Sequence, residues 1–106
     1  MANEVIPVVD PLGNTIYLLE DLCVENEEPD PEIYDTAVTV IQKPAMVIET
    51  KNDHSIQHYY YRSVGWQNTI LICVLFKSGK WLSDKCWRNP TYQELSVLLK
   101  TGKQIF

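Results

Sequence analysis

Residues 69–87 read TILICVLFKSGKWLSDKCW, and this stretch decides the fold. Thr69 to Phe76 is an unbroken apolar run of strand length, as a central strand covered on both faces requires. Ser78-Gly79 supplies a tight turn and Lys80–Cys86 resumes in extended form, so the two segments read as an antiparallel hairpin. Simple alternation along the second strand puts Trp81, Ser83, Lys85 and Trp87 on one face. It puts Lys80, Leu82, Asp84, Cys86 and Arg88 on the other.

Working outward, Met46–Thr50 and Ile56–Ser63 alternate as strands around a Lys51-Asn52-Asp53 turn, and Val64–Asn68 forms a loop. Before them the period changes to that of a helix. Asp30 suits an N-cap, Pro31 the first turn, and Glu32 the positive end of the helix dipole. Ile33, Ala37, Val40 and Ile41 then share one face until Pro44 ends the helix. Val5–Val9 and Thr15–Leu19 flank the turn Asp10-Pro11-Leu12-Gly13-Asn14, which reads as a β-hairpin, with a short helix near Glu20–Val24 and an acidic loop after it.

Downstream, Thr91 and Glu94 have capping-box spacing, Tyr92, Leu95, Leu98 and Leu99 give a buried stripe, and Gly102 stands where a left-handed C-terminal cap belongs. The expected architecture is α+β: an antiparallel sheet of about four strands packed with an N-terminal-side helix, an N-terminal β-hairpin and a C-terminal helix. The 106 residues make a single domain, 1–106, with an α+β core over 5–88 and a C-terminal helix and tail over 89–106.

Charge is graded along the chain. Residues 1–35 carry ten acidic side chains and no Lys or Arg, 36–75 sum to +1, and 76–106 sum to +4, within a net charge of −5. Such a gradient implies either a strong molecular dipole or an acidic segment that shields a basic surface. The overall acidity argues against tight nonspecific nucleic-acid binding, which is driven by phosphate neutralisation. The sequence contains no apolar run long enough for a membrane span, and its start lacks the pattern of a secretory leader. Cys23, Cys73 and Cys86 form an odd set without metal or disulfide spacing, so a reducing, cytoplasmic setting is expected, with no metal. No Gly-rich phosphate loop or Ser-His-Asp pattern occurs, and no cofactor is indicated.

The succession Val8-Val9-Asp10-Pro11-Leu12-Gly13-Asn14, Asp30-Pro31-Glu32-Ile33, Lys43-Pro44-Ala45-Met46-Val47-Ile48, Tyr59-Tyr60-Tyr61-Arg62 and Ile70–Phe76 resembles that of small bacterial and phage domains. These belong to the barnase–EndoU–colicin D–RelE superfamily of ribonuclease folds, in particular its uncharacterised phage-barnase-like and toxin-like families. The resemblance covers about residues 5–88 and implies metal-independent RNA cleavage. It assigns a strand arginine to Arg62 and the last strand's hydroxyl to Ser83. Where such families often carry a histidine just before the first helix's Pro-Glu and another a few residues earlier, this chain has Asp30 and the acidic loop Glu25–Glu28.

His58, Tyr60 and Arg62 alternate on one strand face and combine a base, a hydroxyl and a fixed cation. The competing reading is a solvent-facing strand surface whose neighbours, Tyr59 and Tyr61, face the core. Lys85 and Arg88 join Tyr60 and Arg62 as candidate nucleic-acid contacts, with Trp81 and Trp87 either stacking bases or packing under a helix. His54 and the Glu25–Glu32 cluster read as solvated, and Cys73 as inert packing. Cys86, beside Lys85 and Arg88, has neighbours that could lower its thiol pKa. Three readings stay open. One is a binding module with degenerate catalysis that contacts RNA or protein. Another is an active ribonuclease using His58, Arg62 and Ser83. The third is an acidic, immunity-type protein partner.

Overall fold

A computed structural model describes residues 6–106, with Asp84 described by its backbone only. Val5, the expected start of the first strand, and the Met1–Glu4 segment read for a leader lie outside the described residues. The elements run β1 (Ile6–Val9), β2 (Thr15–Val24), α1 (Ile33–Gln42), β3 (Met46–Lys51), β4 (Ile56–Ser63), β5 (Thr69–Lys77), β6 (Lys80–Arg88), α2 (Tyr92–Thr101) and β7 (Lys103–Gln104).

The class is α+β, but the sheet has seven strands rather than about four, in the order β1-β2-β6-β5-β4-β3-β7. β3 to β6 form the expected antiparallel meander. The hairpin β1–β2 joins the same sheet because β2 pairs in parallel with β6. A parallel pair this remote in sequence has no turn of its own, so no local signal announces it. β7 closes the far side by pairing with β3.

No helix forms at Glu20–Val24. β2 continues through it, and its register against β6 jumps between Leu18 and Cys23. Leu18 and Leu22 are both buried on one face across that jump, which gives the sequence a helix-like spacing.

α1 buries Ile33, Ala37, Val40 and Ile41 as expected and lies against β1, β2, β4 and β5. Asp30 opens the entry turn rather than capping the helix itself: its Oδ1 accepts from the Glu32 amide at 3.0 Å and its carbonyl from Ile33 at 3.1 Å. The core beneath α1 includes Val8, Ile16, Leu18, Val24, Val47, Tyr60, Ile70, Ile72, Val74 and Cys86.

Two features of the second helix differ from expectation. The capping box is made, with Thr91 Oγ1 accepting from the Glu94 amide at 3.1 Å and donating to Glu94 Oε1 at 3.0 Å. However, Tyr92 is 86% and Leu99 48% exposed, so only Leu95 and Leu98 of the expected stripe are partly covered. Gly102 is extended (φ −112°), not left-handed. Glycine is needed there for close approach, since a Cβ would sit 2.6 Å from Ile48 Cγ2 and 2.9 Å from the Glu49 and Leu98 carbonyl oxygens.

Candidate functional site

β4 pairs with β3 so that Glu49 lies opposite His58 and Val47 opposite Tyr60, and with β5 so that Val74 and Ile72 lie on its other side. His58, Tyr60 and Arg62 therefore do share one face, but that face is the one α1 covers. The expectation that Tyr59 and Tyr61 would face the main core is reversed: they point to the opposite side, where Tyr59 lies beside Glu94 and Leu98 of α2. The physical reason is register, because a strand turned by one residue exchanges its two faces.

His58 is only 3% exposed. Its ring stacks on Trp81 at 4.2 Å between centroids, and Trp81 in turn meets Phe76 at 4.8 Å. Nε2 lies 2.9 Å from Glu49 Oε2. That hydrogen bond is the main reason the Glu49 carboxyl is held below its usual range, with Lys51 at 3.3 Å adding to it. A carboxylate can only accept, so the shared hydrogen resides on Nε2 and the buried Nδ1 is left without a partner among the described residues.

Tyr60 is fully buried and donates its hydroxyl to Asp10 Oδ2. Burial, reinforced by the Asp10 charge, pushes the phenol well above its ordinary value and keeps it neutral. Asp10 is itself 4% exposed and also accepts from the Leu12 amide at 3.0 Å, the Asn14 amide at 2.7 Å and Asn14 Nδ2 at 3.3 Å. Three strands separate β1 from β4 in the sheet. On a flat sheet those two strands would be about 19 Å apart, beyond the reach of a tyrosine, so the sheet curls around its α1 face. The Asp10–Tyr60 bond pins that curl.

Arg62 donates from Nη1 to the Lys43 carbonyl at 2.7 Å, which ties β4 to the end of α1. Ser83 is 1% exposed and donates to the Cys73 carbonyl at 2.6 Å. It occupies a β-bulge: between the pairs Cys73–Lys85 and Leu75–Leu82, β6 carries one residue more than β5. The extra residue corrects the alternation read from the sequence. Trp81 falls on the α1 face beside His58, whereas Lys85 and Trp87 fall on the opposite face together with Lys80 and Leu82.

Lys85 reaches Glu25 at 4.0 Å, and Arg88 pairs with Glu27 at 3.1 Å and with Asn68. The acidic loop thus shields the basic end of β6, and the candidate nucleic-acid contacts Tyr60, Arg62, Lys85 and Arg88 do not form one surface. Trp87 lies with Tyr59 and Leu71 under Glu94 and Leu98 of α2. Cys73 sits partly exposed on that same side instead of inside the main core. Cys86 is fully buried and its thiol is pushed up to about 12, chiefly by burial, so its basic neighbours do not activate it. His54 is exposed, and its amide is held by Asn52 Oδ1 at 2.9 Å.

Sequence reasoning missed two pairs, Asp10–Tyr60 and Glu49–His58. The second was readable: with Lys51 opposite Ile56 across the turn, the antiparallel register sets Glu49 opposite His58. The first had no local signal, since Asp10 and Tyr60 are 50 residues apart. The chain matches no protein-family model, no curated protein and no solved structure. Among the described residues no group of three or more His, Cys, Asp and Glu side chains could hold a metal ion, and no helix is long and apolar enough to cross a membrane.

Proposed function

We propose that this protein is a binding module on a ribonuclease-like α+β scaffold, in which the groups that would cleave RNA serve the fold instead. One observation carries the reading: His58, Arg62 and Ser83 are each engaged internally and do not converge. Along β4, His58 and Arg62 are four residues apart, about 13 Å, and Ser83 lies two strands from His58, about 10 Å away. A phosphoryl centre needs its base and its cation within hydrogen-bond reach of one group of atoms. Here the base stacks under Trp81 with its free nitrogen buried, and the cation is drawn by Nη1 to the Lys43 carbonyl at the end of α1, away from the base.

The test is hydrolysis of a mixed-sequence, end-labelled single-stranded RNA by the wild type, His58→Ala and Arg62→Gln, in chelator. The reading expects no product from the wild type beyond that from either variant. Fragments ending in cyclic phosphate that vanish in both folded variants would overturn it and restore the active ribonuclease.

A further inference from the structure

The sheet face opposite α1 is covered over only part of its width. α2 rests on β3 and β7 and reaches Tyr59, Leu71 and Trp87. Beyond them, towards β2, the face is open. Leu19, Leu75, Leu82 and Lys77 line a groove of ≈ 160 Å³ there. Tyr17 lies beside Leu82 in the sheet, with Lys80 Nζ 5.7 Å above its ring. All four apolar side chains are partly exposed.

The rim of this groove is cationic. Lys77 and Lys80 face each other across the Ser78-Gly79 turn on the same face, and neither is paired with a carboxylate among the described residues. Lys85 extends the row, held only loosely by Glu25 at 4.0 Å. The acidic loop that neutralises Arg88 does not reach the Lys77–Lys80 end, because β2 and β6 run parallel and the loop leaves from their other end.

Resting on the binding-module reading, we infer that this open face docks an acidic, aliphatic segment of a partner protein. The segment's alternate apolar side chains would seat between Leu19, Leu75 and Leu82, and its carboxylates would face Lys77 and Lys80. An extended segment presents side chains to one side at every second residue, which suits a groove that crosses strands. Charge complementarity selects the acidic partner. The walls are leucines, and the one aromatic ring beside the groove is already covered by Lys80, so the groove offers bases little to stack on and nucleic acid is disfavoured.

The test is a selection of displayed random 15-residue peptides on the full chain, followed by titration of the enriched peptides into wild type and Lys77→Glu/Lys80→Glu. Amide shifts of isotope-labelled protein locate the binding and confirm that the variant is folded. The expected result is enrichment of Asp/Glu-rich peptides with alternating aliphatic residues, binding weakened about tenfold or more in the variant and by added salt. The shifts should centre on Tyr17, Leu19, Leu75 and Leu82. Enrichment of neutral or basic peptides, binding that ignores the variant, shifts confined to the 25–32 loop, or no enrichment would each overturn the inference. So would an oligonucleotide that shifts the same amides more tightly than any peptide. His58-dependent RNA cleavage would sink the binding-module reading while leaving the peptide result intact, so the two failures are told apart.

Discussion

Replacing Tyr60 by Phe removes one oxygen and keeps the ring, so it isolates the bond that pins the curled sheet. The hydroxyl is fully buried and donates to Asp10, which retains three other donors from Leu12 and Asn14. A hydrogen bond to a carboxylate is worth about 1.5–3 kcal/mol, and no cavity forms, so Tyr60→Phe should cost about 2 kcal/mol. Against a total of about 5–15 kcal/mol for a domain of this size, that is a large fraction. Asp10→Ala should cost more, about 4 kcal/mol, because it takes the acceptor from the tyrosine hydroxyl and from the Leu12 and Asn14 turn amides together. In the double variant the second loss shrinks, giving a coupling energy of about 2 kcal/mol. Urea unfolding followed by far-UV circular dichroism measures all four corners, and amide exchange should quicken in the β1–β2 hairpin first. A Tyr60→Phe cost below about 0.5 kcal/mol with no coupling to Asp10 would refute the account of how the hairpin is held.

Trp81→Ala should cost about 3 kcal/mol through lost stacking on His58 and Phe76, whereas Trp66→Ala, at a site 90% exposed, should stay within about 0.5 kcal/mol. Gly102→Ala forces a Cβ to within 2.6 Å of Ile48 and into two carbonyl oxygens, so thermal unfolding should show a loss of about 1–3 kcal/mol and exchange should quicken at Lys103–Gln104. Stability should fall in alkali. Cys86 and Tyr59 are pushed up to about 12 and Tyr60 higher still, so the unfolded chain releases these protons first, from the ordinary 9.0 and 10.0 upward. Each such group contributes a loss of about 1.4 kcal/mol per pH unit in that window, and Cys86→Ala should flatten the slope near its lower end. In acid the sign reverses. Glu49 is held below 4.5, so its contribution is complete above that value and is lost as pH falls through the folded value; Glu49→Gln should blunt the acid limb.

What was legible in the sequence is what short-range chemistry encodes. The α1 stripe, the Thr91–Glu94 box, the Ser78-Gly79 turn and the β3-to-β6 meander each depend on residues within one or two turns of chain. The parallel β2–β6 pair does not, and its register jump disguised Glu20–Val24 as helix. The bulge at Ser83 is likewise silent in the sequence, yet it moves Trp81 to the opposite side from Lys85 and Trp87 and so rearranges half of the candidate site. Reading His58, Tyr60 and Arg62 as one face was sound. Their side of the sheet depended on where α1 came to rest, which a symmetric run of tyrosines at 59–61 does not reveal.

The chain has two histidines, one exposed in a turn and one buried, so a reagent that acylates imidazole tests the central claim directly. Diethyl pyrocarbonate treatment of the folded protein, read by peptide mass spectrometry over time, should label His54 rapidly and leave His58 unmodified until the chain is unfolded. Labelling of His58 at a rate comparable to His54 in the folded protein would place that imidazole in solvent, within reach of a substrate, and contradict its assignment to the fold.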